Sequence, residues 1–348
     1  MEKPDLSAVA PDVAAYIEYL EKELAHSRTQ HAVVVHSQRE AEGEDSTFQP
    51  LEVTEPFTTA QIITVSRDGL IKRTARHLYE RQRRGGMGIF EIDLPDEDVP
   101  FALCHADETD MLVLITNKAR AFRLRVNEIV SGPVRSKGQH SVKLQDDEHP
   151  VVLLPNPRGL TLALVSEKGF VRALPAHVVG MGMTPGVSLY RYADFGPVAG
   201  ACWSGGKGDL FIATRNGLGI RFPEKALAVP GSLGIRLENG DAAVGVAAVH
   251  PPDGERLLLV GSDGRGTVRL MEGFSPNKSP GGGGKIAFKS EKLIGVTTVT
   301  AESDVFIISR LCKMIRFKAS EIPPKEGVVQ GVNCMSLRGD ECVAIVAT

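Results

Sequence analysis

The feature that most limits how this chain can fold is a unit of about 48 residues that recurs six times. Each copy opens with an apolar, largely β-branched run that meets a small polar residue, takes a tight turn and continues into a second strand with a basic residue near its end. The first copy is Ile62-Ile63-Thr64-Val65-Ser66-Arg67-Asp68-Gly69-Leu70-Ile71-Lys72-Arg73. Equivalent runs begin at Leu112, Leu162, Leu210, Leu257 and Val305, and lead to Arg123, Arg172, Arg221, Arg269 and Arg316. The polar markers fall at 66, 116, 166, 214, 262 and 309, at intervals of 50, 50, 48, 48 and 47. Asp68-Gly69 and Asn216-Gly217 predict two-residue hairpin loops, because glycine accepts the positive φ such loops need. Most units close with a glycine, an apolar strand, a turn and a last apolar strand, as in the segments starting at Gly234 and Gly331. Four short strands per unit is the content of one propeller blade. Six such units predict an all-β, six-bladed β-propeller, as a closed ring or a shallow spiral. A long solenoid would use shorter repeats.

Residues 1–55 are different in kind. Pro11 is followed by apolar residues at Val13, Ile17, Leu20 and Leu24, the spacing of one helical face, which predicts a short helix over about residues 11–27. That face would dock on its own domain, form a short dimer seam or meet a partner. Residues 37–55 then read as a polar, acidic linker, and residues 56–348 as the propeller. The head holds 12 acids against 4 bases, so the net charge of −3 conceals a body with 36 bases and 31 acids. No stretch approaches the roughly 20 apolar residues of a membrane span. The start has no basic segment followed by an apolar run, so a secretion signal is not expected. Five scattered cysteines without a C-x-x-C pair read as reduced thiols of a cytoplasmic protein.

Within the first unit lies Gln82-Arg83-Arg84-Gly85-Gly86-Met87-Gly88. Adjacent arginines supply planar, permanently charged forks suited to phosphate oxygens, and glycines let backbone amides approach a phosphate. No aromatic residue interrupts the segment, which argues against base stacking on single strands. The segment resembles the gyrase A-box, Q-R/K-R-G-G-R/K-G, at six of seven positions, and Gly69-Leu70-Ile71-Lys72-Arg73-Thr74 is also similar to that family. The resemblance covers about residues 56–348 and implies the C-terminal DNA-wrapping propeller, or β-pinwheel, of gyrase A and its topoisomerase IV counterpart. It departs at Met87, where the family usually carries a third cation.

The resemblance implies double-stranded DNA bent around the rim, with Gln82, Arg83, Arg84, Gly85, Gly86 and Gly88 as the anchor. The basic residues that end the repeats (Lys72, Arg73, Arg123, Arg125, Arg172, Arg221, Arg269, Arg316 and Lys318) are candidates for the rest of the track; otherwise they are charged strand edges that deter aggregation. The chain leaves no room for a breakage-and-reunion core, and none of its five tyrosines reads as a cleavage nucleophile. A non-enzymatic, nucleoid-associated DNA binder without cofactor is therefore expected, assisting a gyrase or topoisomerase IV core or acting alone. A protein-binding propeller is the alternative. An enzyme is hard to find in the residues: no histidines stand in H-x-x-x-H spacing. Gly281-Gly282-Gly283-Gly284-Lys285-Ile286 lacks the opening glycine and the hydroxyl of a P-loop, and reads as a flexible blade loop.

Overall fold

The computed structural model describes residues 55–155, 159–250 and 256–348. The helix expected over residues 11–27, and the dimer seam it would supply, lie outside them. The described chain forms six antiparallel blades arranged in a ring. Blade 1 contains Ala60–Ser66, Leu70–Ala75 and Pro100–Asp107; blade 6 contains Asp304–Ser309, Lys313–Lys318 and Cys342–Ala347. In every blade the first strand of the repeat lies in the middle, and the last long strand is innermost, next to the axis. Among the described residues, regular helix is limited to one turn, Tyr192–Phe195, besides short 3-10 turns after each second strand.

Neighbouring blades cover both faces of each middle strand, so these strands read as continuous apolar runs rather than as alternating ones. Ile62 packs toward blade 6, against Phe306 and Ile308. Its neighbour Ile63 packs toward blade 2, against Leu112 and Leu114. Each such side chain contributes roughly 1.5–3 kcal/mol by leaving water. Around the axis, glycines let the inner strands converge: a Cβ on Gly200 would stand 2.8 Å from the Gly245 Cα. The six inner strands line a central cavity of about 460 Å³. Cys104, Cys334 and Cys342 are buried, whereas Cys202 and Cys312 are half-buried.

The fourth, outermost strand of each blade comes from the next repeat. Gln139–His140 of the second repeat completes blade 1, Val187–Ser188 completes blade 2 and Ser232–Leu233 completes blade 3. Lys285–Ile286 completes blade 4, and Val332–Asn333 pairs with the second strand of blade 5. The circle closes when Ile89–Phe90 of the first repeat pairs with Met314 and Lys313 of blade 6. The innermost strands of blades 6 and 1 are also neighbours, so the structure is a ring rather than an open spiral.

A glycine precedes every exchanged strand: Gly88, Gly138, Gly186, Gly231, Gly284 and Gly331. A Cβ on Gly88 would come within 2.6 Å of the Met314 carbonyl oxygen, and one on Gly331 within 2.5 Å of that of Gly266. Only glycine lets the crossing chain lie so close to the blade it completes.

The hairpins depart from the expected two-residue loops. In blade 1 the Ser66 carbonyl accepts the Gly69 N–H at 3.1 Å, and Gly69 has φ 89°. Three residues thus link the strands, a β-turn followed by a left-handed position. The Ser66 hydroxyl accepts the Leu70 N–H at 3.0 Å, and Thr116, Ser166, Thr214 and Ser309 do the same in their blades. This bond explains the polar marker of the repeat. In blade 5 the marker position is Gly261 rather than Ser262, because the turn bond runs from the Gly264 N–H to the Gly261 carbonyl. There the Asp263 carboxylate substitutes, accepting the Arg265 N–H at 3.1 Å.

Two hairpins place a side chain at the left-handed position: Ala119 at φ 58° and Cys312 at φ 62°. That backbone costs an L-residue roughly 1–2 kcal/mol. Cys312→Gly should therefore raise unfolding stability by about 1 kcal/mol in urea titrations. Gly217→Ala should do the reverse, since its Cβ would meet the Phe288 carbonyl oxygen at 2.1 Å.

Candidate nucleic-acid interface

The basic residues that end the second strands do not form a band on the rim. Arg73, Arg123, Arg221 and Arg316 hold the same register, opposite Ile63, Val113, Phe211 and Phe306 of the middle strand. Three of them reach across to the next blade and donate to the carbonyl that ends its 3-10 turn. Arg73 Nε bonds the Ile129 oxygen at 3.0 Å. Arg221 NH1 bonds Met271 O at 2.8 Å and Phe274 O at 3.4 Å. Arg316 NH1 bonds Tyr79 O at 2.9 Å, across the closure of the ring. Arg221 is anchored from behind by Asp209 at 2.7 Å, and Arg316 by Asp304. These arginines clasp blade to blade, because a buried guanidinium must spend its donors on acceptors within reach.

Arg172 and Arg269 do not share this register. Arg172 stands opposite Leu164, one position early, and Arg269 opposite Leu257, one position late. A one-residue slip turns a side chain to the other face of the sheet. Arg172 NH1 accordingly bonds Leu189 O at 2.7 Å. Arg269 is buried over the Phe274 ring, at 5.8 Å from its centroid. Burial lowers its pKa from the ordinary value.

Lys72 is fully buried, paired with the equally buried Glu91 at 3.1 Å and donating to the Glu91 and Pro133 carbonyls. Burial pulls its pKa down, against the opposing pull of Glu91. Lys318 is half-buried, 3.6 Å from Asp304 and bonded to Glu302 O. Lys72, Arg221, Arg269 and Arg316 thus have no outer surface to offer a phosphate, and Arg73 keeps little. Arg123 is half-buried. Arg125 is exposed, beside Glu128 at 3.7 Å. The expected basic track is in large part an inward-facing structural set.

The box segment lies where the ring closes. It leaves blade 1 after Tyr79, crosses to blade 6 and ends in the exchanged pair Ile89–Phe90. Each step of the crossing is tied down. Gln82 N–H bonds Arg316 O at 2.7 Å, Gly85 N–H bonds Cys334 O at 2.8 Å, and Ser336 N–H bonds Gly86 O at 2.9 Å. Gly86 N–H closes a turn onto Arg83 O at 3.2 Å, with Gly85 at φ 81° in the position that demands positive φ. The Gln82 side chain spans the loop, its Oε1 accepting the Gly88 N–H at 3.3 Å. Gly86 leaves room for that amide, since a Cβ there would meet Gln82 Oε1 at 2.5 Å.

On this fixed frame Arg83 and Arg84 are exposed. Arg84 is oriented by bonds from Nε to Glu321 O at 2.9 Å and from NH1 to Asn333 O at 3.2 Å. The Arg83 side chain makes no hydrogen bond or ion pair among the described residues, so its whole fork faces outward. Met87 is 40% exposed, an apolar tip where a third cation would stand. Phe90, also exposed, lies between Arg135 and Lys313, 5.6 and 5.7 Å from its ring centroid.

Behind the box, Asp304 of blade 6 is held from two sides, by Arg81 at 3.0 Å and by Arg316. Glu55 joins the group through Arg76 and Arg316. Burial would raise the Asp304 pKa, but hydrogen bonds and charge from Arg81 and Arg316 outweigh it and hold the group below its ordinary value.

A six-bladed propeller with exchanged outer strands, and a pinned, doubly basic loop at its closure, defines a class of protein on geometry alone. Part of its length matches a known family. Residues 60–99, 110–152 and 208–250 match the family described as DNA gyrase C-terminal domain, beta-propeller. The DNA gyrase A protein of Staphylococcus aureus is 25% identical over 359 residues, which include 99% of this chain. The chain spans 40% of the length of that relative. The solved DNA gyrase A C-terminal domain superposes with a TM-score of 0.70 at 19% identity, over 83% of this chain and 99% of that one. The C-terminal domain of DNA topoisomerase IV gives 0.59 at 17% identity, over 84% and 94%. Over the matched residues the chain is similar to the DNA gyrase C-terminal β-propeller family, and its fold is that of the solved gyrase A C-terminal domain. Among the described residues there is no group of three metal-ligating side chains and no helix long and apolar enough to cross a membrane.

The Asp304 group makes the closure acid-sensitive. Because its pKa is lowered on folding, its contribution is complete above the ordinary value of 3.8 and is lost as pH falls through the folded-state value. Asp304→Asn should flatten that part of the acid-unfolding curve. It should also cost about 3 kcal/mol at neutral pH, the lower end for a broken buried pair, since Glu55 still faces Arg316.

Proposed function

We propose that this propeller binds duplex DNA through its phosphates and bends it along the rim, without reading base sequence. The observation that carries this reading is the box: two adjacent exposed arginines, Arg83 with a free fork and Arg84 steadied by two backbone carbonyls, on a loop whose backbone is bonded to blade 6 at both ends. A fixed donor set loses little conformational freedom when it meets an anion. Phosphate contacts of this kind position a duplex and carry no base information. Smooth bending by 40–90° costs on the order of 1–6 kcal/mol, so the box must act with further cations on the rim.

The propeller works in this reading as a non-catalytic DNA-handling part, with the strand-passing chemistry supplied by a gyrase or topoisomerase IV core, or else as an architectural DNA binder. Its place is then the cytoplasm, on the nucleoid. Met87 removes one phosphate contact, which lowers the salt dependence of binding by about 0.9 in log–log slope and leaves the arginine pair to hold the duplex.

Relaxing and ligating a nicked plasmid with increasing protein tests the proposal. A linking-number shift of one sign, abolished in Arg83→Ala/Arg84→Ala, is expected. Binding without a shift would mean that the propeller holds DNA but does not wrap it. Absence of binding even at low salt would reject the DNA reading in favour of a protein-binding propeller. Met87→Lys should strengthen the shift and steepen the salt dependence by about 0.9.

A further inference from the structure

The four-glycine loop, expected to be a flexible connection, has the hydrogen-bonded frame of the box. Asn277 N–H bonds Arg221 O at 2.6 Å, as Gln82 N–H bonds Arg316 O at 2.7 Å. Gly281, at φ 85°, donates to Gly234 O at 2.8 Å, as Gly85, at φ 81°, donates to Cys334 O at 2.8 Å. Gly284 then precedes the exchanged strand, as Gly88 does. The second repeat carries the frame as well. Gly132 N–H bonds Arg73 O at 3.1 Å, Arg135 at φ 64° donates to Glu91 O at 2.8 Å, and Gly138 precedes the exchanged strand.

Each of these loops presents exposed cations. The second repeat offers Arg135 and Lys137 on blade 1, and the fifth offers Lys278 and Lys285 on blade 4. Lys278 has no ion pair among the described residues, and Lys137 only a loose exposed one with Asp93 at 3.8 Å. The sixth repeat adds exposed Lys325, on blade 5 beside Val268–Arg269. By contrast, the loops laid over blades 2 and 3, residues 180–186 and 227–231, contain no lysine or arginine. They present instead Met181 and Val229, which are 93% and 88% exposed.

The exchange loops are therefore electrostatically one-sided, whatever exposed cations stand elsewhere on the blades. We propose that the loops at Arg135/Lys137 and Lys278/Lys285 are two further phosphate anchors, and that the duplex follows blades 4, 5, 6 and 1 while leaving blades 2 and 3 bare. This rests on the DNA reading and assigns it a path. The box stands inside that arc, with one anchor on the neighbouring blade and the other two blades away.

The test is a salt titration of the whole 348-residue chain on a fluorescent duplex longer than the ring circumference. Arg135 is replaced by glycine, which keeps its left-handed backbone unstrained. Arg135→Gly/Lys137→Ala and Lys278→Ala/Lys285→Ala should each lower the log–log salt slope by about 1.8, two contacts at about 0.9 each. Lys168→Ala/Arg191→Ala, which removes exposed cations in the third repeat, should leave the slope unchanged. If either arc variant kept the wild-type slope while Arg83→Ala/Arg84→Ala lost its share, the path would be wrong though the DNA reading survived. An equal loss in the third-repeat control would also overturn it, by showing a rim engaged all round. A wild-type protein without salt-dependent binding would remove the DNA reading itself.

Discussion

The ring depends on the handing of each outer strand to the preceding blade. A blade with three strands exposes a row of unpaired backbone groups along its outer edge. Here that edge is filled by two residues from the following repeat, six times over, with the first repeat serving the last. The exchange leaves no special clamp to close the circle; the closure uses the same device as every other junction. It also explains the glycine ahead of each exchanged strand, because the crossing chain must lie almost against the backbone it is about to join. Gly88 therefore belongs to the architecture as much as to the box. Its counterparts Gly231 and Gly331 do the same work in loops that carry no arginine pair.

The second layer of support is charge turned inward. Arg73, Arg221 and Arg316 each bind a carbonyl of the neighbouring blade, in a place where backbone oxygens would otherwise be buried without a donor. Asp209 and Asp304 balance two of these cations. The arrangement ties together the same blades that the exchanged strands tie, from the opposite end of the second strand. At the closure the two systems meet: Arg316 gives its guanidinium to blade 1 and its backbone carbonyl to Gln82. The site and the scaffold are thus continuous there.

Much of this is legible in the amino-acid sequence, and the rest is hidden for definable reasons. The spacing of Ser66, Thr116, Ser166, Thr214 and Ser309 reveals six blades because each hydroxyl performs one repeated local bond. The fifth marker slips by one residue, since Asp263 takes over the hydroxyl's task two positions after Gly261. Arg83 and Arg84 are visible from their glycine setting. The basic residues at the strand ends mislead, because a strand written out in letters does not say which neighbour covers which face. Arg172 and Arg269 look equivalent to Arg221, yet they sit one position to either side of it in register. Arg135, Lys137 and Lys278 escape notice and Lys285 reads only as part of a flexible loop, although the glycines at 138 and 284 mark these loops as counterparts of the box.

The closure has a bearing on how the protein comes into being. Ile89–Phe90 pairs with residues 313 and 314, so the box's own strand waits for a partner more than 220 positions away along the chain. Contacts of such separation form late, because long segments must be brought together before any bond rewards them. A chain emerging from the ribosome makes Arg83 and Arg84 early and holds them on a loose tether until the sixth repeat arrives. Only then do Cys334, Ser336 and Glu321 fix the loop. The defined geometry of the basic loop therefore depends on the last repeat, because its hydrogen-bond partners Cys334 and Ser336 lie there.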